Sequence, residues 1–326
     1  MFELARDVFL AVAERPTKQM QQKPLVSRPL GRELDRARSV YRRYGGTVAA
    51  RKAIKYPLEH LAARIDYLRY RDRYPVHLIF VASLAKSGST WFADLLAGLP
   101  GFRKYQPAGW TASLLDAPHH DFYPGIVQET SRRLAVVKGH TMGSVENAAA
   151  LHRNGTPYFI TVRDPRDQII SGYWYLRNRP LHPVHEVAMD LSLTDFITLE
   201  LDPETAAIPR LDWLRSWIAN RDPSKSLIVR YEDLLRDTMA ELQGCFDFLK
   251  IQVDPRQVEE IVAANTFEAK AGRAPGTEDT GSFRRKGVAG EWREVFTEQQ
   301  RERCAFFFEE VISTLGYEAT LEDRSA

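Results

Sequence analysis

Apolar positions along the chain alternate between short unbroken runs and helically spaced stripes. From His77 onward the alternation is regular. Runs of strand length occur in VHLIFVAS ending at Ser83, LAVVK at Leu134–Lys138, YFITV at Tyr158–Val162 and SLIVR at Ser226–Arg230. Between them lie stripes of helical spacing: Phe92, Leu95, Leu96 and Leu99, then Ile169, Ile170, Tyr173 and Leu176 behind Pro165. Further helical patterns cover Leu193–Leu199, Pro209–Asn220, Met239–Leu249, Pro255–Ala264 and Glu298–Thr314. Continuous apolar strands alternating with helices predict an α/β fold, a mostly parallel sheet flanked by helices. Gly101–Arg133 is irregular and carries Tyr105, Trp110, Phe122 and Tyr123, a composition suited to a pocket wall or a packed connection.

The first 76 residues read differently. Arg32–Arg71 is helical, with a break expected at Gly45-Gly46, and the stripe Leu58, Leu61, Ala62, Ile65 and Leu68 predicts packing onto the domain. Residues 1–12 fit a short amphipathic helix and Pro16 to Pro29 a linker. The chain thus divides into a helical N-terminal extension, residues 1–76, and a domain over 77–326. The extension holds 17 Lys and Arg against 8 Asp and Glu, while the remainder is acidic, an asymmetry hidden in the overall +2. Self-docking onto the acidic body is the simpler expectation, an anionic membrane surface touched by residues 1–30 the alternative, and nucleic acid is not expected. With no apolar run of membrane-spanning length and no signal peptide, the sequence predicts a cytoplasmic protein, peripheral to a membrane at most. Cys245 and Cys304 offer neither a disulfide framework nor a zinc site.

Chemistry collects where the runs end. Behind Ser83 the loop Lys86-Ser87-Gly88-Ser89-Thr90-Trp91 brings an ammonium, hydroxyls and a helix N-terminus together, the composition of an anion site. It is not a Walker A loop, because the positions six before and one before the lysine, glycines in that motif, are Phe80 and Ala85. Arg163-Asp164-Pro165-Arg166-Asp167 follows a second strand, with Ser171 on the next helix placed to share a phosphate with Arg163. Val137-Lys138-Gly139-His140 ends a third strand, so the polar groups converge on one sheet edge. Phe283-Arg284-Arg285-Lys286-Gly287 through Trp292 forms a basic, glycine-bearing segment, and Tyr231-Glu232-Asp233-Leu234 and Thr266-Phe267 complete the set. Read singly, each has a bland alternative: a glycine-serine turn, a salt-bridged turn, a solvated basic turn, core aromatics, a structural histidine.

Taken in this order, the motifs resemble those of the sulfotransferases that use 3′-phosphoadenosine-5′-phosphosulfate (PAPS), nearest the cytosolic type, over about residues 77–317. The resemblance implies a P-loop-like sheet and transfer of a sulfuryl group to an acceptor hydroxyl on a small molecule, glycan or lipid, without a metal. Lys86, Ser87, Gly88, Ser89 and Thr90 would then hold the 5′-phosphosulfate, and Arg163, Ser171, Arg285, Lys286 and Gly287 the 3′-phosphate. Trp91, Tyr231, Thr266 and Phe267 would surround the adenine, with Asn265 a competitor for the Thr266 position. His140 would be the general base, ahead of His119, His120, His182 and His185, with Lys86 and Lys138 stabilising the transferring oxygens and Ser171 restraining Lys86. The product nucleotide would be 3′-phosphoadenosine-5′-phosphate (PAP). Glu291 replaces the family's usual aspartate, and the stretch from Arg293 to Glu302 departs from its dimer motif, which leaves the oligomeric state open. An ATP-dependent small-molecule kinase and a non-enzymatic nucleotide-binding module are the competing readings.

Overall fold

In the computed structural model, which describes residues 46–107, 122, 125–180, 182–203 and 207–317, the apolar runs pair into one sheet. Along the chain come α1 (Gly46–Tyr70), β1 (Leu78–Ser83), α2 (Ser89–Leu96), β2 (Phe102–Lys104), α3 (Gly125–Thr130), β3 (Leu134–Gly139), α4 (Val145–Arg153) and β4 (Tyr158–Val162). Next are α5 (Pro165–Arg177), α6 (His185–Asp190), α7 (Leu193–Glu200), α8 (Ala207–Asn220), β5 (Ser226–Arg230) and α9 (Tyr231–Arg236). The chain continues through α10 (Thr238–Phe248), α11 (Pro255–Ala264), α12 (Phe267–Ala271), α13 (Trp292–Val295) and α14 (Glu298–Thr314).

The strand order is β2-β3-β1-β4-β5, with every pairing parallel. After β1 the chain first lays β2 at one edge, then fills β3 in between β2 and β1, and only then crosses to place β4 on the other side of β1. That reversal opens a crevice beyond the C-terminal end of β1, where open α/β sheets take their ligands. Register fixes which residues meet there: Ala82 pairs with Gly139 and Ser83 with Thr161, so His140 and Arg163 leave the two strands that flank β1 at the same edge.

Alternation along β1 divides the core in two. Phe80 and Ala82 join Tyr158, Ile160, Phe196, Trp213, Trp217 and Phe308 on one face. On the other, Ile79 and Val81 join Phe92, Phe159, Leu242, Phe246 and Val258. A sheet covered on both faces needs apolar residues at every strand position, which explains the unbroken runs. Each buried large side chain contributes about 1.5–3 kcal/mol.

The α1 expectation needs correction. Leu58, Leu61, Ile65 and Leu68 are exposed, between 55% and 62%. The face packed on the sheet edge carries His60, Ala63, Tyr67 and Tyr70 instead. Ala63 is buried, Tyr67 meets His77 edge-on at 5.4 Å, and Asp66 accepts from Arg103 Nε at 2.9 Å. Tyr70 lies where a side chain on Gly101 would go, 2.8 Å from an added Cβ, and Gly101 has a φ of +85°. The reading of Gly101–Arg133 as irregular missed β2, a three-residue edge strand whose last two positions, Arg103 and Lys104, are exposed cations, and α3. Residues 1–30, the linker, Trp110, Tyr123, His119 and His120 lie outside the described residues. Among the described residues no helix is long and apolar enough to cross a membrane.

Cys245 and Cys304 are buried, 1% and 0% exposed, and burial pushes both thiols far above the ordinary range. A thiol that is neither exposed nor ionised does not attack alkylating agents. Both cysteines are therefore expected to resist iodoacetamide at pH 8 in the native protein and to react fully in denaturant. Mass spectrometry checks this, and native-state labelling of either would contradict the packing described here.

Candidate functional site

A cavity of about 880 Å³ opens at the C-terminal edge of the sheet. Its floor is the loop between β1 and α2, where Lys86 and Gly88 take left-handed φ values of 69° and 76°. Glycine is required at 88, because an added Cβ would stand 2.4 Å from Tyr231 Cδ2. Lys86 adopts the same region with a side chain, which costs of order 1–3 kcal/mol and has to be held from outside. Gln168 supplies that hold, donating from Nε2 to the Ala85 carbonyl at 2.7 Å and to Ser87 Oγ at 2.9 Å. Arg163 Nη1 adds a 3.4 Å bond to the Lys86 carbonyl. The first-turn N–H groups of α2 then stand at the cavity without intrahelical acceptors.

Around this floor the strand ends deliver their groups. Lys138 Nζ donates to Thr90 Oγ1 at 3.3 Å. His140 is 8% exposed, and its Nδ1 lies 2.8 Å from the Ser83 carbonyl. A carbonyl only accepts, so Nδ1 carries the proton and Nε2 the lone pair in the neutral ring. The next residue is fixed from the core: the Thr141 carbonyl accepts from the indoles of both Trp213 and Trp217 at 2.9 Å. The Lys86 ammonium lies 4.6 Å from the Tyr175 ring centre and 4.4 Å from that of Phe283, between two aromatic faces.

A second wall comes from α5 and the basic segment. Proline at the first helical position and the Asp164 cap, which accepts from Arg166 N at 2.9 Å, start α5 directly behind β4. Within its first turn Asp167 accepts from the backbone N–H of Gly290 and of Trp292, tying the glycine-bearing segment to the helix. Burial holds the Asp167 carboxyl above its ordinary pKa even with Arg163 at 4.0 Å. Arg163 reaches the Val288 carbonyl at 3.1 Å and lies 4.5 Å over the Tyr231 ring. Arg285 and Lys286 line the cavity and share the Glu291 carboxylate, and Arg285 also pairs with Glu278. Burial alone would raise the Glu291 pKa, yet the Arg285 and Lys286 contacts override it and hold the carboxyl below its usual value.

The far end is aromatic. Trp91 and Tyr231 meet edge-on at 6.0 Å, and Phe267 packs where a side chain on Gly287 would go, 2.3 Å from an added Cβ. Trp91 Nε1 donates to the Asn265 carbonyl at 2.8 Å. Asn265 is 5% exposed, and its Oδ1 has no partner among the described residues.

Of the residues singled out from the sequence, the cavity gathers Lys86, Gly88, Ser89, Thr90, Trp91, Lys138, His140, Arg163, Ser171, Tyr231, Thr266, Phe267, Arg285, Lys286 and Gly287. Ser87 lies beneath the loop on Gln168 rather than in the lining. Thr266 does line the cavity, but its Oγ1 caps α12, accepting from Ala269 N at 3.1 Å, which leaves Asn265 as the buried polar group at this end. His182 and His185 are outside the lining. Sequence reasoning missed Gln168 and Tyr175, and it quoted Asp167 and Phe283 within their motifs without giving either a role. Helical steps from Ser171, back to Gln168 and on to Tyr175, were the available signal.

The family model described as a sulfotransferase domain matches residues 77–316. Among curated relatives, sulfotransferase 2A1 of Rattus norvegicus is 26% identical over 158 residues, covering 46% of this chain and 54% of the relative. Cytosolic sulfotransferase 12 of Arabidopsis thaliana is 26% identical over 261 residues, covering 73% and 78%. The chain spans about half the length of the first curated relatives it matches. Among solved structures, mouse sulfotransferase SULT7A1 complexed with PAP superposes with a TM-score of 0.56 at 20% identity, over 78% of this chain and 91% of that one. Retinol dehydratase in a complex with retinol and PAP gives 0.52 at 21%, over 76% and 85%. Both share the fold.

Two substitutions probe this geometry. Gln168→Leu leaves the loop without its brace and should destabilise the protein by about 1–3 kcal/mol, with faster amide exchange confined to residues near 85–89. Unchanged exchange there would mean the left-handed turn is held without it. Glu291→Gln should be less stable than the parent at pH 7. A carboxyl with a depressed folded pKa stabilises above its unfolded pKa and loses that contribution as pH falls through the folded value, so the gap should close in acid. Denaturant midpoints across pH measure it, and a pH-independent gap would contradict the ion-pair account.

Proposed function

Since the chain belongs to the sulfotransferase domain family through residues 77–316, we propose that it transfers a sulfuryl group from PAPS to an acceptor hydroxyl. The observation that carries the reading is the convergence in one cavity of a lysine-bearing phosphate loop, a second cluster of cations and a strand-end histidine with a fixed tautomer. Two relatives of the same fold are described in complexes with PAP, which supports this donor. The cavity suits it in size, in the partnerless Asn265 Oδ1 at its aromatic end and in the close approach that Gly88 and Gly287 permit.

In this reading Arg163, Ser171, Arg285, Lys286 and the Gly287 backbone receive the 3′-phosphate. Trp91, Tyr231 and Phe267 enclose the adenine, where aromatic contact contributes about 1–3 kcal/mol per base. Asn265 Oδ1, rather than Thr266, would accept from the adenine amino group. When bound, the donor supplies the sulfuryl group and a good leaving phosphate. Lys86, Thr90, Lys138 and the loop amides stabilise negative charge on the transferring and leaving oxygens. His140 Nε2 takes the acceptor proton, with Nδ1 anchored on Ser83 and the following carbonyl on two indoles. In-line placement of the acceptor oxygen beside His140 and Lys86 completes the requirement. Retinol dehydratase is described with retinol and with androsterone, which supports a hydroxyl compound as acceptor.

Calorimetry should find PAP bound far more tightly than ATP, and Arg163→Ala and Arg285→Ala should each weaken PAP selectively. Unchanged PAP affinity in both variants would remove the 3′-phosphate assignment. His140→Ala should keep PAP affinity and lose roughly 10²–10⁴-fold in turnover, measured as PAP release with any accepted hydroxyl compound. Parent-level turnover would move the base elsewhere.

A further inference from the structure

Beyond Lys86 the cavity continues along α5. Ser171, Tyr175 and Arg179 follow one another at helical spacing and all line it. The Tyr175 ring has the Lys86 ammonium at 4.6 Å and the Arg179 guanidinium at 4.9 Å, and it meets Phe283 edge-on at 6.1 Å. Arg179 is exposed at the mouth, just past the end of the helix, where its N–H donates to the Leu176 carbonyl at 3.0 Å.

The charge of Arg179 is not neutralised as its neighbours' charges are. Arg163 faces Asp167, Arg236 pairs with Asp233, Arg284 with Asp94, and Arg285 and Lys286 with Glu291. Among the described residues no carboxylate pairs with Arg179, whose guanidinium lies over the Tyr175 ring. Lys270 also lines the cavity without a carboxylate, but it sits on α12 with Phe267, at the far aromatic end. Nor does the proposed donor site call on Arg179: the six residues from Ser171 to the end of α5 already span about 9 Å along the helix axis, and Arg179 lies beyond that end. Arg179 thus stands past the end of the helix that carries Ser171, yet only one aromatic ring from Lys86.

We propose that Arg179 binds an anionic group on the acceptor, so that the preferred substrates are hydroxyl compounds bearing a carboxylate or another oxyanion across a ring from the reacting oxygen. This rests on the sulfuryl-transfer reading above. The hydroxyl enters between His140 and Lys86, the body of the acceptor lies along Tyr175 and Phe283, and the oxyanion meets the planar guanidinium, which suits a two-oxygen partner better than an ammonium does. An unpaired cation at the mouth also draws anionic acceptors inward and disfavours cationic ones.

The test compares charged and neutral versions of one phenol on the PAP-loaded full chain: 4-hydroxyphenylacetate against its amide, and 4-hydroxybenzenesulfonate against its sulfonamide. Titration calorimetry should show the anionic member of at least one pair bound about 10- to 100-fold more tightly than its neutral partner, the size of a hydrogen bond to a charged group. Arg179→Ala should erase that ratio, Arg179→Lys should retain part of it, and Arg179→Glu should favour tyramine over the anions. PAP affinity, measured in each variant, controls for folding and separates the two readings. If PAP fails to bind the parent chain, the sulfotransferase reading fails. If PAP binds and the charged and neutral members bind alike, bind not at all, or keep their ratio in Arg179→Ala, the assignment of Arg179 is overturned while the donor reading stands.

Discussion

The left-handed turn at Lys86 is the constraint on which the site depends. A side chain in that region is unfavourable unless its surroundings leave no alternative, and the surroundings here are the first turn of α5. Gln168 reaches down to the loop on one side of the helix while Asp167 grips Gly290 and Trp292 on the other. One helical turn therefore sets the position of the loop between β1 and α2 and of the basic segment relative to each other. Pro165 and the Asp164 cap matter for the same reason, since they fix where that turn begins after β4. Gln168 is satisfied on its own acceptor side too, by Arg210 Nη1 at 3.3 Å, so the brace sits within a continuous polar network.

Cations crowded into a cleft repel one another, and the protein answers with carboxylates placed behind them. Glu291 lies between Arg285 and Lys286, Asp167 stands behind Arg163, and Glu232, whose pKa is raised by burial, accepts from Asp164 N at 3.0 Å and from the Tyr317 hydroxyl at 3.1 Å. Glu291 and Asp167 hold their cations at fixed places before any anion arrives, which is the preorganisation that the proposed phosphate site needs. The longer Glu291, in place of the usual aspartate, reaches two cations at once.

Strands and motif loops were legible because both obey local rules: unbroken apolar runs for a sheet covered on two faces, and polar residues where such runs stop. What was not legible depended on which neighbour wins. On α1 two stripes compete, and the one with the aliphatic residues lost to His60, Ala63, Tyr67 and Tyr70, since aromatic side chains reach the sheet edge and bond at their rims. No periodicity count ranks those stripes. Thr266 lines the cavity and also caps α12 through Ala269 N, a second duty that only the short helix behind it shows. Ser87 belongs to the loop between β1 and α2 in sequence and to its underside in space. Gln168 was unreadable because its partners are more than eighty residues away.

The histidine shows how the core reaches the chemistry. His140 follows a strand whose last residues pair with β1, so its ring is delivered beside Ser83, and the Ser83 carbonyl decides its tautomer. One residue later the chain has left the sheet and would be free to swing, but two indoles buried among the largest core side chains seize the same carbonyl. Trp213 and Trp217 stand four apart on α8, one helical turn, so both N–H groups point to one acceptor. An indole N–H buried without a partner is costly, hence the packing of α8 on the sheet and the place of the loop after His140 are mutually dependent. In the proposed reaction a base must keep its lone pair aimed at the acceptor oxygen through the transfer, and here that aim is set by the hydrophobic core.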